Sequence, residues 1–124
     1  MSNKTEIIKD IIGFEGLYKI SSLGKIWRYK SKKRLINGKY MDLPERQLTI
    51  NSKVTYPCVG LLKAGKQHSK LVHRLMAIHF IDNDIPLFRN EINHKDKNIF
   101  NFSLDNLEWC TRSENMKHAK KHVR

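Results

Sequence analysis

The residues best suited to chemistry are Asn93 and His94, side by side, followed by Asn106 and then Asn115. An imidazole with its ordinary pKa of about 6.5 accepts protons at neutral pH. A carboxamide oxygen is a ligand for a hard divalent cation. The set therefore offers one base and several neutral oxygen donors. Asp96 and Glu114 are carboxylates that could add charge, directly or through water. These groups are distant along the chain, so the elements between them must bring them together.

Glu91-Ile92-Asn93-His94 and Leu107-Glu108-Trp109-Cys110 read as two antiparallel strands. The connecting loop, Lys95 to Asn106, is longer than an ordinary hairpin turn and needs an internal tie. Asn106 can supply it, because its amide can bond across the loop base and fix the backbone near His94. Thr111-x-x-Glu114 is a capping box, which starts a helix just after Thr111 and runs it to about Lys121. Asn115 then lies one turn in, where a side-chain amide is mildly unfavourable unless it has a task. Strand, loop and helix together predict a compact β-β-α unit with one chemical face. Upstream, Val72, Leu75, Met76 and Phe80 recur at helical spacing, and Asp82 to Pro86 ends that helix. It is expected to pack beneath the hairpin, with His73 and His79 structural rather than ligands.

The rest of the chain reads as strands and turns. Gly13 to Gly16 and Ser21 to Gly24 turn, while Leu17 to Ile20 and Lys25 to Tyr29 extend. Lys30 to Leu43 is a basic hairpin turning at Asn37-Gly38. Arg46 to Ile50, Tyr56 to Leu62 and Gln67 to Leu71 follow as a meander with an apolar and a basic face. The 124 residues suit one domain or two small modules sharing a core. No apolar run is long enough to span a bilayer, and the first residues lack the apolar stretch of a signal peptide. Cys58 and Cys110 show neither metal-ligand nor disulfide-framework spacing and read as buried thiols in a reducing compartment. The formal net charge of +12, from 24 Lys+Arg against 12 Asp+Glu, calls for a polyanionic partner. Nucleic acid fits better than a membrane, since no amphipathic helix or lipidation motif accompanies the charge.

Asn93-His94-Lys95-Asp96, Leu104-Asp105-Asn106-Leu107-Glu108-Trp109 and Thr111-Arg112-Ser113-Glu114-Asn115, approached through Val72-His73-Arg74-Leu75-Met76-Ala77, resemble the HNH endonuclease family in its homing and phage-encoded branch. The earlier run Gly13-Phe14-Glu15-Gly16, with Tyr18, Ile20-Ser21, Gly24 and Ile26, is similar to a modular DNA-binding motif that precedes HNH units in such endonucleases. The resemblance implies an α+β fold: an antiparallel β-rich DNA-binding region over residues 1–66, then a ββα-metal nuclease unit with its preceding helix over 67–124.

It further implies a metal-dependent DNA endonuclease that nicks duplex DNA and leaves 5′-phosphate and 3′-hydroxyl ends. His94 would be the base that activates water and Asn106 its support in the catalytic unit. Asn93 and Asn115 would hold Mg2+ or Mn2+. Phosphates of double-stranded DNA would meet Lys25, Arg28 and Lys30 on the sheet, and Lys32, Lys33 and Arg34 on the basic hairpin. Arg74, Lys95, Arg112, Lys117 and Lys120 would meet them around the nuclease unit. His73 would brace the site or touch DNA. His118 and His122, four apart, would form a helical metal pair or lie exposed near DNA. The expected setting is the cytoplasm of a bacterial host, with a phage-type gene, no membrane partner, and a monomer or weak homodimer. Many relatives place Asp before the base; Asn93 is neutral, so metal binding without DNA is expected to be weak. Relatives also append a helix-turn-helix reader, and without one the expected specificity is loose or short-site. A non-catalytic DNA- or RNA-binding module, or a structural basic protein, would share the charge; the second leaves the Asn-His/Asn/Asn spacing unexplained.

Overall fold

The computed structural model describes residues 5–53, 55–83 and 90–114. Near the start of the chain, β1 (Ile8–Asp10), β2 (Tyr18–Ser21) and β3 (Ile26–Arg28) form successive antiparallel pairs. Their inward positions supply Tyr18, Ile20 and Ile26 to the core. Gly24 turns the chain between β2 and β3 at φ 87°, a conformation that disfavours a side chain. A Cβ there would also lie 2.7 Å from the ring of Phe102, which would have to shift.

β4 (Ser31–Arg34) and β5 (Tyr40–Leu43) form the expected basic hairpin. Its turn is tied by Leu35 N–H to Lys39 O, Gly38 N–H to Leu35 O, and Lys39 N–H to Asn37 Oδ1. The chain then returns in β6 (Arg46–Gln47), which pairs with β3 and completes the order β1-β2-β3-β6. The expected meander is thus divided: β6 joins the first sheet, while β7 (Cys58–Lys63) and β8 (Lys66–Leu71) make a separate hairpin. Apolar alternation marks a strand but does not choose its neighbour, and here Leu48 N–H to Ile26 O extends the β3 ladder instead.

α1 (Val72–Phe80) follows β8 directly and carries the predicted inward face, with Val72, Leu75, Met76 and Ala77 buried. His79 is structural, as expected: its Nε2 accepts from Ile12 N–H and its Nδ1 donates to Leu75 O, which fixes the tautomer. β9 (Glu91–His94) and β10 (Leu107–Cys110) pair antiparallel, Glu91 opposite Cys110 and His94 opposite Leu107. One apolar cluster takes Ile11, Phe14 and Ile26 from the first sheet, Val59 and Leu61 from β7, Met76 from α1, and Ile92 and Leu107 from the last hairpin. No helix among the described residues is long and apolar enough to cross a membrane, and neither cysteine is in a disulfide.

Met76 is completely buried where the helix meets this cluster. Met76→Ala should cost about 2–5 kcal/mol, seen as a lower urea midpoint with an unchanged slope. Two separate transitions in the variant would show that sheet and hairpin unfold independently.

Candidate active site

His94 is the last residue of β9, and its ring is pressed against α1. The His73 ring lies 4.8 Å from it, and Tyr56 closes the group at 5.2 Å from His73 and 6.2 Å from His94, centroid to centroid. His73 Nδ1 and His94 Nε2 are both buried with no hydrogen-bond partner. Burial depresses the pKa of both rings, since it penalises the charged form. His73 falls to about 4, first through burial, then through the neighbouring His94 and Arg74. His94 is lowered by burial, against a smaller opposing pull from Asp96. Both rings are therefore neutral at physiological pH, the state a base requires.

Asn93 is buried beside it, and its carboxamide is oriented. Its Nδ2 donates to Glu108 Oε1 at 2.8 Å, across the strand pair in which the two residues stand directly opposite. The carbonyl oxygen is thereby turned away from Glu108. Strand alternation corrects the expectation of one chemical face. Ile92 and His94, with Leu107 and Trp109, point toward α1, while Asn93 and Glu108 project from the other side of the hairpin.

The loop carries the predicted tie. Asn106, buried at the end of a 3-10 turn (Leu104–Asn106), accepts Asp96 N–H through Oδ1 at 2.9 Å. Its Nδ2 donates to Asp96 Oδ1 at 2.9 Å and to Asn101 O at 2.8 Å. The backbone adds Lys95 N–H to Asn106 O and Lys97 N–H to His94 O. The Asp96 pKa is lowered from the usual carboxylate value, chiefly by the Asn101 side-chain amide and then by Asn98 N–H. The capping box also forms, with Glu114 N–H to Thr111 Oγ1 and Thr111 N–H to Glu114 Oε1. Asn115, Lys117, His118, Lys120 and His122 lie outside the described residues.

Of the expected phosphate contacts, Lys25, Lys30, Lys32, Lys33 and Arg34 are exposed on the sheet and its hairpin. Arg28 is half-buried and bonds Pro44 O. Arg74 is exposed at the start of α1, where it bonds Asn90 O and lies over the Trp109 ring. Lys95 and Arg112 are exposed at either end of the hairpin unit. Two residues of the site were not singled out from sequence. Tyr56 carries no local signal, since it reaches His94 only through the fold. Glu108 was accessible, because the register that pairs Glu91 with Cys110 also sets Glu108 opposite Asn93.

Among the described residues no group of three His, Cys, Asp or Glu is placed to hold a metal, so a zinc-type cage is not formed there. The oriented Asn93 carboxamide is an oxygen donor of the kind that hard divalent cations take.

Similarity to known proteins extends over most of the chain. Residues 70–117 match the HNH endonuclease family model, and residues 6–60 match the NUMOD4 motif. DNA endonuclease I-HmuI of Bacillus phage SP01 is 37% identical over 109 residues, 87% of this chain and 54% of that protein. H-N-H endonuclease F-TflII of Escherichia phage T5 is 34% identical over 99 residues, 78% of this chain and 44% of that protein. A solved structure of the HNH homing endonuclease I-HmuI, described as showing DNA binding and cleavage, superposes with a TM-score of 0.70 at 32% identity. It covers 93% of this chain and 58% of that one. The chain spans about half the length of these relatives.

Asn106→Ala should cost about 1–3 kcal/mol by stranding the Asp96 amide, and should speed hydrogen exchange at Lys95 and Asp96 above that of the β2 amides. A second expectation concerns pH. Between about 4 and the unfolded value of about 6.5, the unfolded chain holds more protons at His73 than the folded chain. That share of the stability is complete above the upper value and is lost as pH falls through the window. Denaturant titrations at pH 7 and pH 5 measure the loss, and His73→Phe should reduce it.

Proposed function

We propose, from the premise that the chain belongs to the HNH endonuclease family with a NUMOD4 motif ahead of its HNH unit, that it is a divalent-metal-dependent DNA endonuclease that nicks duplex DNA. The observation that carries the reading is the His94 ring buried at the end of β9, where burial lowers its pKa, next in sequence to the oriented Asn93 carboxamide. Breaking a phosphodiester requires an activated water, relief of charge on phosphorus and stabilisation of the departing 3′-oxygen. His94 takes the proton of the attacking water. Asn93, with Asn115, would hold Mg2+ or Mn2+ through carboxamide oxygens. The chemistry such a cation would supply is the charge relief and the leaving-group stabilisation. Asn106 acts in the catalytic unit by fixing the backbone that carries His94. The products are 5′-phosphate and 3′-hydroxyl ends.

Residues 1–66 serve as the DNA-binding region and 67–124 as the nuclease unit, although their apolar side chains share one cluster. Lys30, Lys32, Lys33 and Arg34 follow the phosphate backbone, with Lys25 and Arg28 behind them. Arg74, Lys95, Arg112, Lys117 and Lys120 anchor the strand being cut. Such contacts fix position rather than sequence and weaken steeply with salt. The chain acts as a monomer or weak homodimer: one site cuts one strand, so a monomer nicks, and a double-strand break needs a dimer or two successive events. The proposed setting is the cytoplasm of a bacterial host.

Supercoiled plasmid incubated with Mg2+ or Mn2+ should convert to open circles. His94→Ala should slow this about 10²–10⁴-fold, and EDTA should stop it. Under conditions where chemistry limits the rate, nicking should fall as pH drops through the pKa of His94, below the ordinary histidine value. Cleavage that survives both EDTA and His94→Ala removes the mechanism. Binding without nicking under any metal identifies a non-catalytic DNA-binding module.

A further inference from the structure

We infer that Glu108 is a positioning residue that makes the neutral Asn93 act as a charged ligand would. The inference rests on the reading of Asn93 as a cation ligand. Three observations lead to it. Glu108 stands directly opposite Asn93 in the β9–β10 register, so both side chains leave the hairpin on one face. Glu108 Oε1 accepts the Asn93 Nδ2–H at 2.8 Å, while Asn93 itself is buried and Glu108 is exposed. Asn93 has no formal charge, and the described residues place no cluster of carboxylates and imidazoles around it to supply one.

The consequences follow from amide chemistry. A carboxamide can ligate a hard cation only through oxygen, and a free one can flip. A carboxylate accepting from the nitrogen forbids the flipped state, because it would set oxygen against oxygen. The same carboxylate draws on the amide dipole: negative charge at the nitrogen end raises the electron density of the carbonyl oxygen at the other. Glu108 thus returns, one bond removed, the charge that an aspartate at position 93 would carry directly. Partners that orient a metal ligand in this way typically govern affinity as well as geometry.

The arrangement makes an unusual prediction about exchanging the two groups. Glu108→Gln keeps an acceptor for the Asn93 amide but removes the charge and permits the flip. Asn93→Asp alone sets two carboxylates opposite each other, which is unfavourable in a strand pair. The double variant Asn93→Asp/Glu108→Gln restores a donor facing a carboxylate, with the charge now on the ligand. The test is titration of the full chain with Mn2+, without DNA, followed by paramagnetic broadening of the backbone amide resonance of residue 93, which reports weak binding in fast exchange. Circular dichroism verifies that each variant is folded. Glu108→Gln should need about tenfold more Mn2+ for half-broadening. The double variant should return to the wild-type concentration or below it. Wild-type behaviour in Glu108→Gln, or a double variant as weak as Glu108→Gln, overturns the inference about Glu108 and leaves Asn93 as a ligand. Absence of broadening at residue 93 in the wild-type chain overturns the ligand reading itself, and the inference with it.

Discussion

The hydrogen bonds made by one buried carboxamide, that of Asn106, hold the hairpin in the shape on which the remaining geometry depends. Long connections between paired strands ordinarily lose definition, because their backbone groups find partners in water. Here Asn106 accepts from the Asp96 amide and donates to Asp96 and to the Asn101 carbonyl, closing the loop from inside. With the loop closed, Lys95 bonds back to Asn106 and the pairing of Leu107 with His94 is fixed. The His94 ring then has one place to go, against His73 and Tyr56. Asn93, one residue earlier, is delivered to Glu108 by the same register.

A chain with so large an excess of positive charge nevertheless builds its centre from neutral groups. His73 and His94 are stripped of charge by burial, and Asn93 and Asn106 never carry any. The charges sit at the exposed rim: Arg74, Lys95, Asp96 and Glu108 around the hairpin unit, and the lysines of the β4–β5 hairpin on their own strand pair. This division is physically economical. A buried unpaired cation is strongly disfavoured, whereas an exposed one is solvated until a polyanion displaces its counterions. Centre and rim thus suit different tasks, proton transfer within and phosphate capture without.

Much of this was legible in the sequence wherever the determining interactions are local. The capping box of Thr111 and Glu114, the turn at Asn37-Gly38, the α1 face and the Asn106 tie are each set by residues close in the chain. The pairing of Glu91 to His94 with Leu107 to Cys110 was legible too, because two short apolar runs flank a single loop. The assignment of β6 to β3 was not, since its partner lies beyond an intervening hairpin. Nor was the proximity of Tyr56 to His94, which requires β7, β8 and α1 to be in place first. The separation of Asn93 from His94 by strand alternation follows from the strand assignment alone, since successive side chains of a strand leave on opposite faces.

The contact between Gly24 and Phe102 has an implication for how such proteins are assembled over time. The ring belongs to the loop of the β9–β10 hairpin, and the glycine to a turn in the first sheet, far apart in the sequence. Any ancestor that traded its front portion for that of a cousin would have had to receive a matching hollow for this ring. Exchange of either part therefore has to keep this contact or give the ring another place to lie.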